Sequence, residues 1–257
     1  MVDIVIKNLS KAFGEKVVLD NINLEIPKGE SLVIIGGSGT GKSVFIKNLI
    51  GLIHPDSGKV FYDNVDFYKA DKDKRREIMG KIGVLFQGGA LFDSFKVWEN
   101  VSFVLRQNQN MPAKQAKEIA IEKLSLVGLQ PEVADLYPVE LSGGMQKRVA
   151  LARAIAAKPE IIFFDEPTSG LDPINTNVIA DLIIKCTKEL GITAITITHD
   201  MVSAKHIATN LCMLYKGKMV FCGDKQEIER TDNPYLHQFM NGLTSGPIQI
   251  ETSLSSL

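Results

Sequence analysis

From residue 3 the chain alternates apolar and polar positions in DIVIKNLSKAF, turns at Gly14 and alternates again in VVLDNINLEIP, which predicts two strands of an antiparallel pair. The pattern then changes. ESLVIIGG is a short continuous apolar run entering glycines, the mark of a strand covered on both faces. KSVFIKNLIGL carries helical spacing and stops at Gly51, before the turn residues HPDSG. PEIIFFD and GITAITITHD read as two further buried strands. NTNVIADLIIKCTKEL between them reads as an amphipathic helix with Val178, Ile179, Leu182, Ile183 and Leu190 on its apolar side. Strands alternating with helices of this length imply a parallel sheet with crossover helices.

Residues 96–158 carry almost no strand pattern. MPAKQAKEIAIEKLSLVGL has Pro112 near a first turn and Gly128 at a C-cap position, and GMQKRVALARAIAAKP is a helix stopped by Pro159, so a helical insertion is expected between two sheet strands. Residues 244–257 lose periodicity and turn Ser/Thr-rich, as a tail does, although Ile248 and Ile250 suit packing on a neighbouring subunit. VLFQGGALFDSF, residues 84–95, breaks the pattern: an apolar run ends in Gln87, two glycines follow, and Leu91, Phe92 and Phe95 then fall in a connection. Glycines there mark a bend or close approach, and exposed apolar side chains mark a partner. Trp98 is expected to pack within the insertion.

Composition adds mostly exclusions. The 257 residues are 45% hydrophobic and 23% charged with a formal net charge of −1, an ordinary globular balance without the basic excess expected of a nucleic-acid partner. No apolar run approaches the roughly 18 residues needed to span a bilayer. The N-terminus MVDIVIKNLSKAF lacks the pattern of a signal peptide. Cys186, Cys212 and Cys222 are odd in number and form no CxxC pair, which suggests small buried apolar residues in a reducing compartment.

The chemistry begins at GGSGTGKS. Gly36, Gly37, Ser38, Gly39, Thr40, Gly41, Lys42 and Ser43 follow a buried strand and open a helix, the context of a phosphate-binding P-loop. Glycines let successive N–H groups converge on phosphate oxygens, the helix N-terminus adds positive potential, Lys42 can reach the terminal phosphates, and Ser43 can ligate Mg²⁺. IIFFDEP supplies Asp165 for the metal and Glu166 as general base, at the end of a strand expected beside the P-loop strand. His199 ends the strand AITITH at the sheet edge where ligands bind. Leu141-Ser142-Gly143-Gly144-Met145 makes a second glycine-rich helix N-terminus, an anion site without its own lysine.

With these motifs in this order, the chain resembles the ATP-binding cassette transport ATPases over residues 2–243. The resemblance implies an α/β P-loop NTPase of ABC type: a mixed-sheet core with an antiparallel β subdomain and an inserted α-helical subdomain. It also implies roles. Phe13 would stack on adenine, Gln87 would contact the metal and the attacking water, Ser142, Gly143 and Gly144 would form the signature, and Asp172 would belong to the SGLD loop. Two chains would associate head to tail, each ATP lying between the P-loop of one and the signature of the other. Met145 stands where the family commonly has glutamine. LSGGMQKRVALARAIA, LFQGGALFDSFKVWENV and NPYLHQFMNGLTSGPI are similar to the MlaF-like subfamily. That likeness implies a phospholipid-transport ATPase on the cytoplasmic face of an inner membrane, served by an integral-membrane lipid permease, an MCE-domain protein and a small STAS-domain protein. The alternative is an importer for amino acids or another small solute.

Overall fold

The computed structural model describes residues 3–249. Its strands are β1 (Ile4–Phe13), β2 (Lys16–Ile26), β3 (Ser31–Ile35), β4 (Ser57–Tyr62), β5 (Val65–Asp66), β6 (Ile82–Leu85), β7 (Ile161–Asp165), β8 (Thr193–Thr198), β9 (Asn210–Tyr215) and β10 (Lys218–Asp224). Its α-helices are α1 (Lys42–Leu49), α2 (Lys72–Gly80), α3 (Val97–Val101), α4 (Phe103–Gln109), α5 (Ala113–Leu126), α6 (Gly143–Ala156), α7 (Pro173–Leu190), α8 (Met201–Ile207), α9 (Lys225–Arg230) and α10 (Pro234–Met240). An antiparallel sheet has the order β2-β1-β4-β5, and a mixed sheet has the order β10-β9-β3-β8-β7-β6. In the mixed sheet only β10 runs antiparallel to its neighbour.

Period-two alternation along the buried strands divides the interior into two cores. Leu32, Ile34, Ile161, Phe163, Ile195 and Ile197 face the antiparallel sheet and α1. Their alternates Val33, Ile35, Ile162 and Phe164 face the layer that includes α5, α6, α7 and α8. Continuous apolar strands are therefore needed here because both faces are covered. Between β6 and β7 the described chain is helical, with short 3-10 turns at Pro131–Asp135 and Pro138–Glu140.

Four expectations are corrected. The strand carrying Asp165 is not beside the P-loop strand: β8 lies between β7 and β3. Strand order is set by the crossovers: β7 pairs with its successor β8, and it is β8 that pairs with β3. On α7 the buried stripe runs through Ile179, Ile183 and Cys186, which leaves Val178 and Leu190 exposed. Cys212 and Cys222 are not free small hydrophobes but a disulfide, between directly opposed residues of β9 and β10. Cys222 lies exposed on the edge strand, while Cys186 is buried and free, its thiol pushed up to about 11 by burial. Finally, Ile248 packs on this chain's own core rather than on a neighbour. The Gln238 amide donates to the carbonyls of Leu243 and Ile248 and accepts from the Ile248 N–H at 2.7 Å. Ile250 lies outside the described residues.

Candidate active site

β3 delivers the chain to the P-loop at its C-terminal end. A side chain at Gly36 would place Cβ 2.4 Å from the Leu214 carbonyl of β9, and one at Gly41, where φ is +104°, would meet the Val18 carbonyl at 2.8 Å. Only glycine lets the loop lie this close to its neighbours. Thr40 Oγ1 donates to the Gly37 carbonyl at 2.9 Å and closes the turn. Lys42, the first residue of α1, donates to the carbonyls of Gly36 (2.8 Å) and Gly37 (2.9 Å). Its ammonium lies 3.8 Å from Glu166 Oε1. Burial draws the Lys42 pKa down, and the neighbouring Glu166 and Asp165 charges oppose that shift.

β7 and β8 supply the carboxylates and the imidazole. Ser43 Oγ donates to Asp165 Oδ1 at 3.2 Å. Asp165 is 8% exposed, and desolvation pushes its carboxyl pKa upward. Glu166 is equally buried, adopts φ +49°, and anchors its N–H on the Ile197 carbonyl of β8 at 2.9 Å. A non-glycine residue in the left-handed region is a strained conformation of the kind that clusters at functional sites. His199 Nδ1 lies 2.9 Å from Glu166 Oε2.

Phe13, Ser38, Gly39, Gly41, Lys42, Ser43, Gln87, Glu166 and His199 line one open cleft of about 450 Å³, together with Lys16 and Val18. Phe13 is half-exposed at the end of β1, with the Lys11 ammonium 5.4 Å from its ring centre. Gln87 is exposed beyond β6, while its backbone carbonyl accepts from Lys147 of α6. Ser142, Gly143, Gly144 and Asp172 do not line this cleft. Ser142 and Gly143 are exposed at the start of α6, where the Ser142 hydroxyl accepts from the Met145 N–H at 3.3 Å. Asp172 caps α7 by accepting from the N–H groups of Ile174 and Asn175, and the Asn175 side-chain amide, with these backbone bonds, holds its carboxyl below the usual range.

The oxygens of Ser43 and Asp165 form the kind of small, hard donor set that Mg²⁺ accepts when phosphates and water complete its shell. Among the described residues no cluster of three His, Cys, Asp or Glu side chains offers a self-contained metal cage. The donor set therefore fits a metal that arrives with a nucleotide.

Sequence reasoning missed Lys16, Val18 and the cations on the inner face of α6, Lys147 and Arg153. Lys147 carried a readable signal, because it shares a helical face with Gly144 and Leu151, both buried.

The family model described as ABC transporter matches residues 19–169. The chain belongs to the ABC transporter family. Among its relatives, the probable ribonucleotide transport ATP-binding protein mkl of Mycobacterium leprae is 40% identical over 247 residues, covering 96% of this chain and 71% of that protein. The intermembrane phospholipid transport system ATP-binding protein MlaF of Haemophilus influenzae is 36% identical over 246 residues, covering 96% of this chain and 93% of that one. A solved ATP-binding cassette, dimeric in a post-hydrolysis state with ADP and Pi, matches with a TM-score of 0.78 at 33% identity over 86% of this chain and 98% of that one. The fold is thus the ABC-type P-loop NTPase, and the chain is an ATPase subunit of an ABC transporter. Among the described residues no helix is long and apolar enough to cross a membrane.

Proposed function

We propose that this ABC ATPase energises phospholipid transport, working as a head-to-tail homodimer on the cytoplasmic face of an inner membrane. The observation carrying the cargo is the 36% identity to MlaF along nearly the whole of both chains. In this reading the partners are an integral-membrane lipid permease, an MCE-domain protein and a STAS-domain protein.

Each ATP is enclosed by the cleft of one chain and by Ser142, Gly143 and Gly144 of the other. The exposed N-terminus of the fourteen-residue α6 supports this arrangement, since its unpaired N–H groups and dipole suit a phosphate. Phe13 stacks on adenine, the P-loop N–H groups cradle the phosphates, and Lys42 exchanges loop carbonyls for terminal phosphate oxygens. Asp172 lies in the facing SGLD loop. Ser43, Asp165 and Gln87 would hold Mg²⁺, which when bound neutralises phosphate charge. Glu166 takes the proton of the attacking water, and Gln87 can both donate to and accept from that water through its amide. His199 orients Glu166. A neutral imidazole has one N–H, so while Glu166 is ionised His199 can donate to the γ-phosphate only by releasing Glu166 or by carrying both protons; once Glu166 holds the proton of the water it can donate to Nδ1 and leave the ring N–H for the phosphate.

Phe92, Phe95 and Phe103 form an aromatic cluster with ring centres 4.8 to 6.1 Å apart. Phe92 is 42% exposed, and buried Asn100 ties the Phe92 and Phe95 backbone together. Leu91, Phe92 and Phe95 form the socket for a permease helix. Trp98 packs inside, with the Arg106 guanidinium 5.4 Å from its ring centre.

A mild-detergent pull-down of the native complex, with subunits and bound small molecules identified by mass spectrometry, tests this reading. Phospholipid and an MCE partner are expected. A periplasmic amino-acid-binding protein would overturn the lipid assignment. The name of the 40% identical mycobacterial relative favours a second reading, a ribonucleotide cargo, which the same experiment would reveal as bound nucleotide in excess of the two ATP sites.

A further inference from the structure

Lys147 sits one turn into α6 yet points inward, 7% exposed. Burying an ammonium is costly unless it is paired or hydrogen-bonded, and its partners belong to two different parts of the cleft. It donates to the backbone carbonyl of Gln87 and lies 3.5 Å from the backbone carbonyl of Glu166. Farther along α6, Arg153 donates to the carbonyls of Gly89 (2.5 Å) and Ala90 (2.8 Å). The glutamine loop is therefore tied to α6 through three backbone carbonyls, those of Gln87, Gly89 and Ala90. Only Lys147 also reaches the segment of Glu166, whose left-handed backbone needs external support.

We propose that Lys147 is a positioning residue that couples the two nucleotide sites of the dimer. When the N-terminus of α6 engages the partner's γ-phosphate, the shift of α6 is carried by the Lys147 ammonium to the Gln87 and Glu166 backbones of its own site. The proposal rests on the reading that Ser142 and Gly143 face the partner's nucleotide. α6 then has one end on one ATP and one buried cation beside the base that serves the other. Movement of either end is felt at both.

ATPase activity of the purified transporter complex, measured against ATP concentration, tests this. Wild type should be cooperative in ATP. Lys147→Met should lower kcat roughly ten- to hundredfold, the scale of a misplaced catalytic group. KM should stay within about twofold, and the Hill coefficient should fall towards 1. Lys147→Arg, which keeps the donor, should restore most of both. Wild-type kcat and cooperativity in Lys147→Met would overturn the proposal, as would a non-cooperative wild type. A loss that follows reduced complex assembly and that Lys147→Arg does not repair would make the residue merely structural, and would overturn it too. Ser142→Arg separates the two claims. Activity surviving Ser142→Arg defeats the shared-site reading, whereas activity abolished there but untouched in Lys147→Met defeats only the coupling role.

Discussion

Lys42 is buried against loop carbonyls in a position that penalises its charge, and a triphosphate would relieve that penalty by replacing neutral acceptors with anionic ones. Lys42→Ala should therefore reduce nucleotide affinity or turnover on the order of 100-fold, the scale of losing one preorganised charge contact. Fluorescent-nucleotide titration and an ATPase assay check this, and undiminished turnover would refute the P-loop assignment. Cysteine chemistry is a second test at this scale. At pH 8 an alkylating reagent should modify neither Cys212 nor Cys222 until the disulfide is reduced. After reduction Cys222 should react first, because it is exposed. Cys186 should lag, since burial both shields it and raises its thiol pKa to about 11, so its reaction should accelerate as pH rises towards that value. Peptide mass spectrometry reads all three sites, and immediate labelling of Cys222 without reductant would contradict the pairing.

Helix α6 meets α7 with no room for a methyl group: Cβ at Gly144 would lie 2.6 Å from Asn175 Oδ1. Asn175 is held by its bond to Asp172, the cap of α7, so it cannot turn away without loosening that end. Glycine to alanine inside a helix ordinarily stabilises by about 0.5–1 kcal/mol. Here the overpacking cost, typically about 1–3 kcal/mol, should win, so Gly144→Ala should lower both the melting temperature and ATPase activity. A higher melting temperature would show that α7 yields freely. At the C-terminus, deleting residues 244–257 leaves the 4%-exposed Gln238 without its partners at Ile248. The same deletion uncovers Gln238 to water, so the cost is the lost packing of Ile248 and about 0.5–1.5 kcal/mol for each hydrogen bond exchanged for water; thermal denaturation should show a lowered midpoint, and an unchanged midpoint would make the docked segment dispensable.

The P-loop, Asp165-Glu166 and His199 were legible because each is a contiguous string at a strand end, where local chain and chemistry coincide. Properties set by long-range order were not. β8 separates β7 from β3 through the order of the crossovers, yet Asp165 still reaches Ser43 across it. The Cys212–Cys222 pairing depends on the register across the β9–β10 turn, which no spacing motif announces. Val178 looked apolar and inward but lies off the stripe through Ile179 and Ile183. Lys147 looked like one more solvated lysine, and its burial depends on what α6 packs against.

The whole molecule presents a cleft between the ends of the two sheets and, apart from it, an exposed signature helix end. Neither alone encloses a triphosphate, so a second copy completes the site, and on the proposed reading of Glu166 as the base this residue sets how long the two stay together. Removing the base while keeping its shape should halt hydrolysis with the sandwich closed. Sedimentation velocity of the full-length Glu166→Gln chain with and without Mg²⁺-ATP, paired with a count of bound nucleotide, measures this directly. An ATP-dependent dimer retaining one ATP per chain is expected. A chain that stays monomeric at saturating ATP, or that hydrolyses at the wild-type rate, would contradict it.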